Sequence, residues 1–435
     1  MIRILNGIVT DPISQIEEKL DIEIADDGII TKVSQPGALG ENIDGCCVID
    51  ANGCLVAPGF MDVHVHFRDP GFTYKEDLMT GSKAAVRGGF TDVVMMANTK
   101  PAVDSEAALE ELLSRTNRLP LRVHVSASAT KGLKGQENTD IEMLTDLGAV
   151  GITDDGIPIM DEEVLRISMV EAGKAKVPLS LHEEDKTLIK QNGINHGEVS
   201  EKLGIYGSPR EAEISLTARD LELLKSVSRD AFGEERPKLV IQHISTKEGV
   251  ELVRRAQKEG FDNVYAEATP HHFTLTQEAV LEYGAYAKMN PPLRTNADRE
   301  AIIEGIKDGT IGLIATDHAP HSKEEKEKGL LEAPSGIIGL ETAYSLAYEK
   351  LVKTGEISLI RLLTIMCVNP RKLYGLPLHP IKIGEEADLV IIDNDEKWIY
   401  EKSESKSFNS PFKNREMSGK IKMTICKGEI AYEDL

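Results

Sequence analysis

The stretch TDVVMMANTKPAVDSEAALEELLSRTNRLPLRVHVSAS (residues 91–128) decides the fold class. It opens on a short apolar run, TDVVMMAN (91–98), of strand length. A longer amphipathic segment, SEAALEELLSRTNR (105–118), follows and reads as a helix. A second apolar run, LRVHVSAS (121–128), completes the unit. Strand, helix and strand in succession make a βαβ unit, and such units build a parallel sheet.

The same alternation extends from Pro58 to about Leu376. Apolar runs recur at VPLSLHEED (177–185), KLVIQHIS (238–245), NVYAEATPHH (263–272) and IGLIATDHAP (311–320). Helical segments stand between them, among them DEEVLRISMVEAGKA (161–175) and TKEGVELVRRAQKEG (246–260). Seven or eight such units fit a closed (β/α)8 TIM-type barrel better than an open sheet. Outside residues 58–376 the texture is β-rich. IRILNGIVT, LDIEIADDGIITKVS and CCVIDANGCLVAP precede the barrel, while ADLVIIDNDEKW and KIKMTICKGEIAYE follow it. The expected architecture is α/β: a barrel over 58–376, inserted into a small composite β-sandwich made from 1–57 and 377–435.

Composition narrows the partners. The 435 residues are 41% hydrophobic and 28% charged, which excludes a disordered or low-complexity chain. The formal charge of −22 disfavours nucleic acid and anionic membranes, which need a basic footprint. It leaves room for a small anionic substrate met by one or two local cations. No apolar run approaches a membrane span, and MIRILNGIVTDP lacks the apolar core of a signal peptide. Five cysteines in so long a chain argue for a reducing compartment, so a cytoplasmic location is expected.

The residues that could carry chemistry cluster at strand ends. PGFMDVHVHFRDPG (58–71) places His64 and His66 two apart, where strand geometry puts both on one side about 7 Å apart. His182 ends one apolar run and His243 another; Asp317, His318 and His321 close a third. Asp154 and Asp155 follow GAVGIT. Each alone has an ordinary reading as a packed histidine or a helix cap. Together, at the catalytic rim of a barrel, they offer imidazole and carboxylate without thiolate, which suits Zn2+, with Mn2+, Co2+ or Fe2+ as alternatives. Six ligands exceed one tetrahedral ion and accommodate a pair.

PGFMDVHVHFRDPG, TDDG, KMNPPLR (288–294) and ATDHAPH (315–321), with the strand-end histidines, resemble the dihydroorotase family of the cyclic amidohydrolase superfamily. The likeness spans nearly the whole chain, including EEADLVIID and the final β-segment. It implies His64, His66 and Asp317 on one zinc, and His182 and His243 on the other. Asp155 would bridge the two zinc ions of each chain together with a hydroxide; Asp154 is its rival, since strand neighbours face opposite ways. Asp317 would also shuttle the catalytic proton. His66, Arg68, Asn98, Asn290 and His321 would contact substrate, along with Ser335 and Gly336 of PSGIIGLET (334–342). Ser335 stands where Phe is usual, which leaves the shape of that wall open. The implied reaction interconverts N-carbamoyl-L-aspartate and dihydroorotate in pyrimidine synthesis. A homodimer and an association with aspartate transcarbamoylase follow by analogy only. The alternatives are an allantoinase or hydantoinase, or a non-catalytic relative. Arg68 and the acid at 155, where many superfamily members have a carboxylated lysine, weigh against the first pair; the full ligand set weighs against the last.

Other residues take plainer readings. His271 and His272 read as structural or supporting, and His124, His196 and His379 as packing or surface groups. Cys46, Cys47 and Cys54 lack metal spacing. Gly88-Gly89 reads as a helix end feeding a strand. The charged run KEEKEKG reads as a solvated loop face, with a mobile lid over the site as its other reading.

Overall fold

The computed structural model describes residues 1–40, 45–191, 193–230 and 236–434. Strands β1 (Ile2–Asp11), β2 (Ile16–Ile24), β3 (Ile30–Ser34), β4 (Cys47–Asp50) and β5 (Leu55–Pro58) come first. The barrel follows, with β6 (Phe60–Val65), β7 (Phe90–Met95), β8 (Arg122–Ala127), β9 (Gly151–Thr153), β10 (Pro178–Leu181), β11 (Lys238–Ile241), β12 (Val264–Ala268) and β13 (Leu313–Ile314). The chain ends in β14 (Leu389–Ile399), β15 (Glu416–Cys426) and β16 (Glu429–Glu433).

Strands β6 to β13 pair in chain order, each parallel to the next. The ring closes through strand ends: Val65 bridges His318, His66 N–H donates to the His318 carbonyl at 2.9 Å, and Thr316 N–H donates to Asp62 at 3.2 Å. The result is a nearly closed eight-stranded parallel barrel.

Its helices form where the amphipathic pattern places them. The helix Glu162–Lys174 is capped by Asp161, whose side chain accepts from the amides of Glu163 and Val164. It buries Leu165, Met169 and Ala172, spaced at one helical face. Lys247–Lys258 is capped by Thr246 and buries Val250, Val253 and Ala256 while its charged residues face out. These faces join the strand side chains in one large apolar cluster.

The terminal segments pair with each other: β14 lies antiparallel to β5, and β5 parallel to β1. They form one continuous mixed sheet, rather than two stacked ones, in the order β16-β15-β14-β5-β1-β2-β3 with β4 beside β1. The sheet curls so that its β3 end meets the segment leading into β14. Ile30 N–H donates to the Glu385 carbonyl, and Ala387 N–H to the Gly28 carbonyl, both at 2.9 Å. Ile4, Ile22, Ile24, Val56, Ile391, Met423 and Ile425 share the core inside the curl.

One expectation needs correction. KEEKEKG does not lie wholly in solvent. Ser322 and Glu325 cap a short helix, Lys323–Lys326, reciprocally, and this turns Lys326 inward until only 1% of it is exposed.

Candidate metal centre

Six side chains reach one rim of the barrel from five strand ends. His64 lies on β6 and His66 just past it; Asp155, His182, His243 and Asp317 follow β9, β10, β11 and β13. The Asp155 carboxylate sits among all four imidazoles. Its Oδ1 is 3.4 Å from His64 Nε2, 3.8 Å from His182 Nδ1 and 4.0 Å from His243 Nε2. Its Oδ2 is 3.5 Å from His66 Nε2. Asp317 Oδ1 lies 3.0 Å from His66 Nε2 and 3.6 Å from His64 Nε2. Asp154 turns away, accepting from the amide and hydroxyl of Thr130, and burial raises its pKa to about 6.

The backbone is bent to achieve this. Arg68, His243 and Asp317 have φ values of 59°, 31° and 47°, a region non-glycine residues seldom occupy. Such strain gathers where a fold over-determines a functional geometry.

Three of the four histidines are aimed by a second contact. His64 Nδ1 lies 3.1 Å from Glu267 Oε2, His66 Nδ1 2.9 Å from Asn98 Oδ1, and His182 Nε2 3.1 Å from Glu184 Oε2. These contacts set which ring nitrogen faces inward. Glu184 and Glu267 escaped the sequence reading. The available signals were a carboxylate two residues after His182 and an acid inside the apolar strand VYAEA.

The electrostatics are those of a site built for cations. Burial opposes ionisation of Asp155, and the imidazoles of His64, His66 and His182 override it, holding its pKa well below the usual carboxylate range. Burial also opposes charging of His64, but Asp155 and Glu267 raise its pKa well above normal. Burial, then His182 and His64, push His243 well down. His64 Nε2 is wholly buried and makes no hydrogen bond among the described residues, although two carboxylates flank it. Ligand atoms of His64, His66 and Asp317 lie within 4.8 Å of one another, as do those of His64, Asp155 and His243. A cation in each group would satisfy the orphaned nitrogen and the paired acids, so the residues fit a metal centre with nitrogen and oxygen donors.

A cavity of about 120 Å3 opens onto this cluster. Arg68, Asn98, Asn290, Ser335 and Gly336 line it together with His66, Asp155, His182, His243 and Asp317. Arg68 Nε donates to the Pro320 carbonyl at 3.2 Å, and its guanidinium has no acidic partner within ion-pair distance among the described residues. Asn290 Oδ1 and Ser335 Oγ are buried without a hydrogen bond among the described residues. Asn98 is already engaged, since its Nδ2 donates to Asp155 at 2.9 Å. His321 stands outside the lining, with Nε2 2.8 Å from the Ser335 carbonyl and Nδ1 3.3 Å from Lys75 Nζ. His272 bonds Thr269 and the Pro291 carbonyl, a structural placement. A larger cleft of about 350 Å3 beside Asp262, Thr310 and Lys372 holds no comparable cluster among the described residues. Chemistry, not size, locates the site.

Comparisons with known proteins give the family. The Amidohydrolase family model matches residues 55–431. A dihydroorotase of Clostridioides difficile (strain 630) is 48% identical over 432 residues, covering 99% of this chain and 100% of that protein. A dihydroorotase of Clostridium acetobutylicum is 47% identical over 436 residues, with both chains fully covered. Among solved structures, an L-hydantoinase (dihydropyrimidinase) from Arthrobacter aurescens superposes with a TM-score of 0.85 at 25% identity, covering 99% of this chain and 96% of that one. The chain belongs to the amidohydrolase family and, within it, to the dihydroorotases.

Proposed function

We propose that the protein is a zinc-dependent dihydroorotase, interconverting N-carbamoyl-L-aspartate and dihydroorotate in pyrimidine synthesis. One observation carries the reading. Four imidazoles and two carboxylates converge beside Arg68, whose guanidinium has no acidic partner among the described residues, in a cavity sized for a small molecule.

In this reading His64, His66 and Asp317 would hold one zinc ion and His182 and His243 a second, with Asp155 as a further carboxylate ligand. When bound, such ions supply Lewis acidity and a water acidic enough to react near neutral pH. The protein's own groups do the rest. Water adds to the ring amide carbon of dihydroorotate and the carbon–nitrogen bond breaks. Asp317 Oδ1 takes a proton from the water and returns it to the departing nitrogen, the task of a general base and then acid. Arg68 grips the substrate carboxylate through its planar fork. Asn290 and the Ser335–Gly336 backbone supply polar contacts, while Asn98 and His321 act chiefly by holding Asp155 and the Ser335 carbonyl.

The assignment also divides the chain at 57/58 and 376/377. It places the protein in the cytoplasm and, by analogy with the family, expects a homodimer and an association with aspartate transcarbamoylase. No helix among the described residues is long and apolar enough to cross a membrane.

The likeness to the hydantoinase structure favours a second reading, hydrolysis of hydantoins. Parallel assays decide between them. Dihydroorotate turnover should exceed hydantoin turnover by a wide margin, and the reverse order would reject the substrate assignment.

A further inference from the structure

Ser335 and Gly336 enter the cavity at the end of the segment Leu331–Gly336, and the way that segment is held is unusual. Lys288 Nζ donates to the carbonyls of Leu331 and Ala333 at 3.2 and 2.7 Å. Lys326 Nζ donates to those of Pro334 and Gly336 at 2.9 and 3.1 Å. The Gly336 amide returns a bond to the Lys288 carbonyl at 2.8 Å. Both lysines are 1% exposed, and among the described residues neither has a carboxylate within ion-pair distance.

Buried ammonium groups without counter-ions are costly. Burial lowers the pKa of both, and Lys288 helps push Lys326 down to about 7. Hydrogen bonding to the strap does not require charge: the neutral amide of Asn409 donates to the same Gly336 carbonyl at 3.1 Å. With the Pro334 carbonyl turned onto Lys326, the Ser335 amide, anti to it across a trans peptide, faces away from that lysine. It has no partner among the described residues.

We infer that Lys288 and Lys326 are positioning residues of the substrate site. They clamp the 331–336 segment as a cavity wall, and Lys288, with the charged share of Lys326, gives that wall a positive potential matched to a substrate carboxylate. The inference rests on the dihydroorotase reading of the cavity and adds a source of substrate selectivity behind its lining.

The test compares Lys326→Met, Lys288→Met and Lys326→Arg with wild type, reading metal content, kcat and KM for dihydroorotate, and amide hydrogen exchange over residues 331–338. Each Met variant should keep its metal, raise KM about tenfold or more, and lower kcat less than about threefold. Exchange in the segment should quicken by about tenfold, and the Arg variant should restore KM to within about threefold. Should a Met variant fail to fold, Lys326→Gln, which keeps a donor without charge, should still raise KM. Unchanged KM in folded variants of an enzyme that turns over dihydroorotate overturns the clamp and leaves the function standing. If metal-replete wild type does not turn over dihydroorotate, the functional reading fails instead. The exchange rates then judge the clamp alone, and unaltered rates overturn it.

Discussion

Asp317 and Arg68 divide the labour of the site, one serving protons and the other charge. Asp317 Oδ1, 3.0 Å from His66 Nε2, is assigned to the cation cluster and to proton transfer. Asp317→Asn keeps the shape but loses the base. Its kcat should fall by about a thousandfold or more with the fold intact by circular dichroism, and a near-wild-type rate would remove Asp317 from the mechanism. Arg68→Met should spare metal content and raise KM for dihydroorotate about tenfold or more, measured by initial rates. At this scale the sequence speaks unevenly. Residues that act directly, such as His64, His66 and Asp317, announce themselves by type and spacing. Residues that act through another do not. Glu267 aims His64 from 203 positions away, a pairing that exists only once β6 and β12 are in one barrel. Asp154 and Asp155 are indistinguishable as letters; Thr130, from the loop after β8, claims the first and leaves the second to the histidines.

Among elements, the helices were the most legible and the short strands the least. SEAALEELLSRTNR, DEEVLRISMVEAGKA and TKEGVELVRRAQKEG become Glu106–Thr116, Glu162–Lys174 and Lys247–Lys258, because their apolar stripes and caps are local properties. IGLIATDHAP yields only the two-residue strand Leu313–Ile314, since its remaining backbone bends to deliver Asp317 and His318. The inward turn of Lys326 was hidden for a related reason: its burial depends on the 331–336 segment folding over it. That segment also packs against Gly193, which has a φ of +75° and where an added Cβ would lie 2.2 Å from Ser335 Oγ. Gly193→Ala should therefore displace the wall and strain the backbone. The expected result is a loss of about 1–3 kcal/mol in denaturant unfolding and a raised KM; an unchanged KM would show that the wall tolerates the shift.

For the whole molecule, a buried ion pair ties the barrel to its last helix. Arg371, in Asn369–Tyr374, donates to Asp92 on β7 at 2.6 Å and to the Gly59 carbonyl at 2.9 Å. Burial works against the Asp92 carboxylate, but Arg371, His124 and Arg122 hold its pKa far below the ordinary value. A depressed folded-state pKa gives stability that is present above the unfolded value near 4 and is lost as pH falls below it. Asp92→Asn, which leaves Arg371 buried without its partner, should cost about 3–5 kcal/mol at pH 7, and the difference from wild type should shrink below about pH 4. A pH-independent difference in urea titrations would assign the loss to packing. The barrel was legible from strand–helix alternation and the pairing of the terminal segments from their β-rich texture, whereas the curl of a single terminal sheet was not, because it is set by contacts between turns at opposite ends of the chain.

The claim that joins these scales is that strand-end imidazoles and acids hold metal ions for dihydroorotate chemistry. Dihydroorotate hydrolysis followed spectrophotometrically, with metal analysis before and after chelation, tests it most directly. The expected result is about two zinc ions per chain, loss of activity on their removal, and recovery when zinc is returned. Full activity in metal-free protein, or at one ion per chain, would contradict the account.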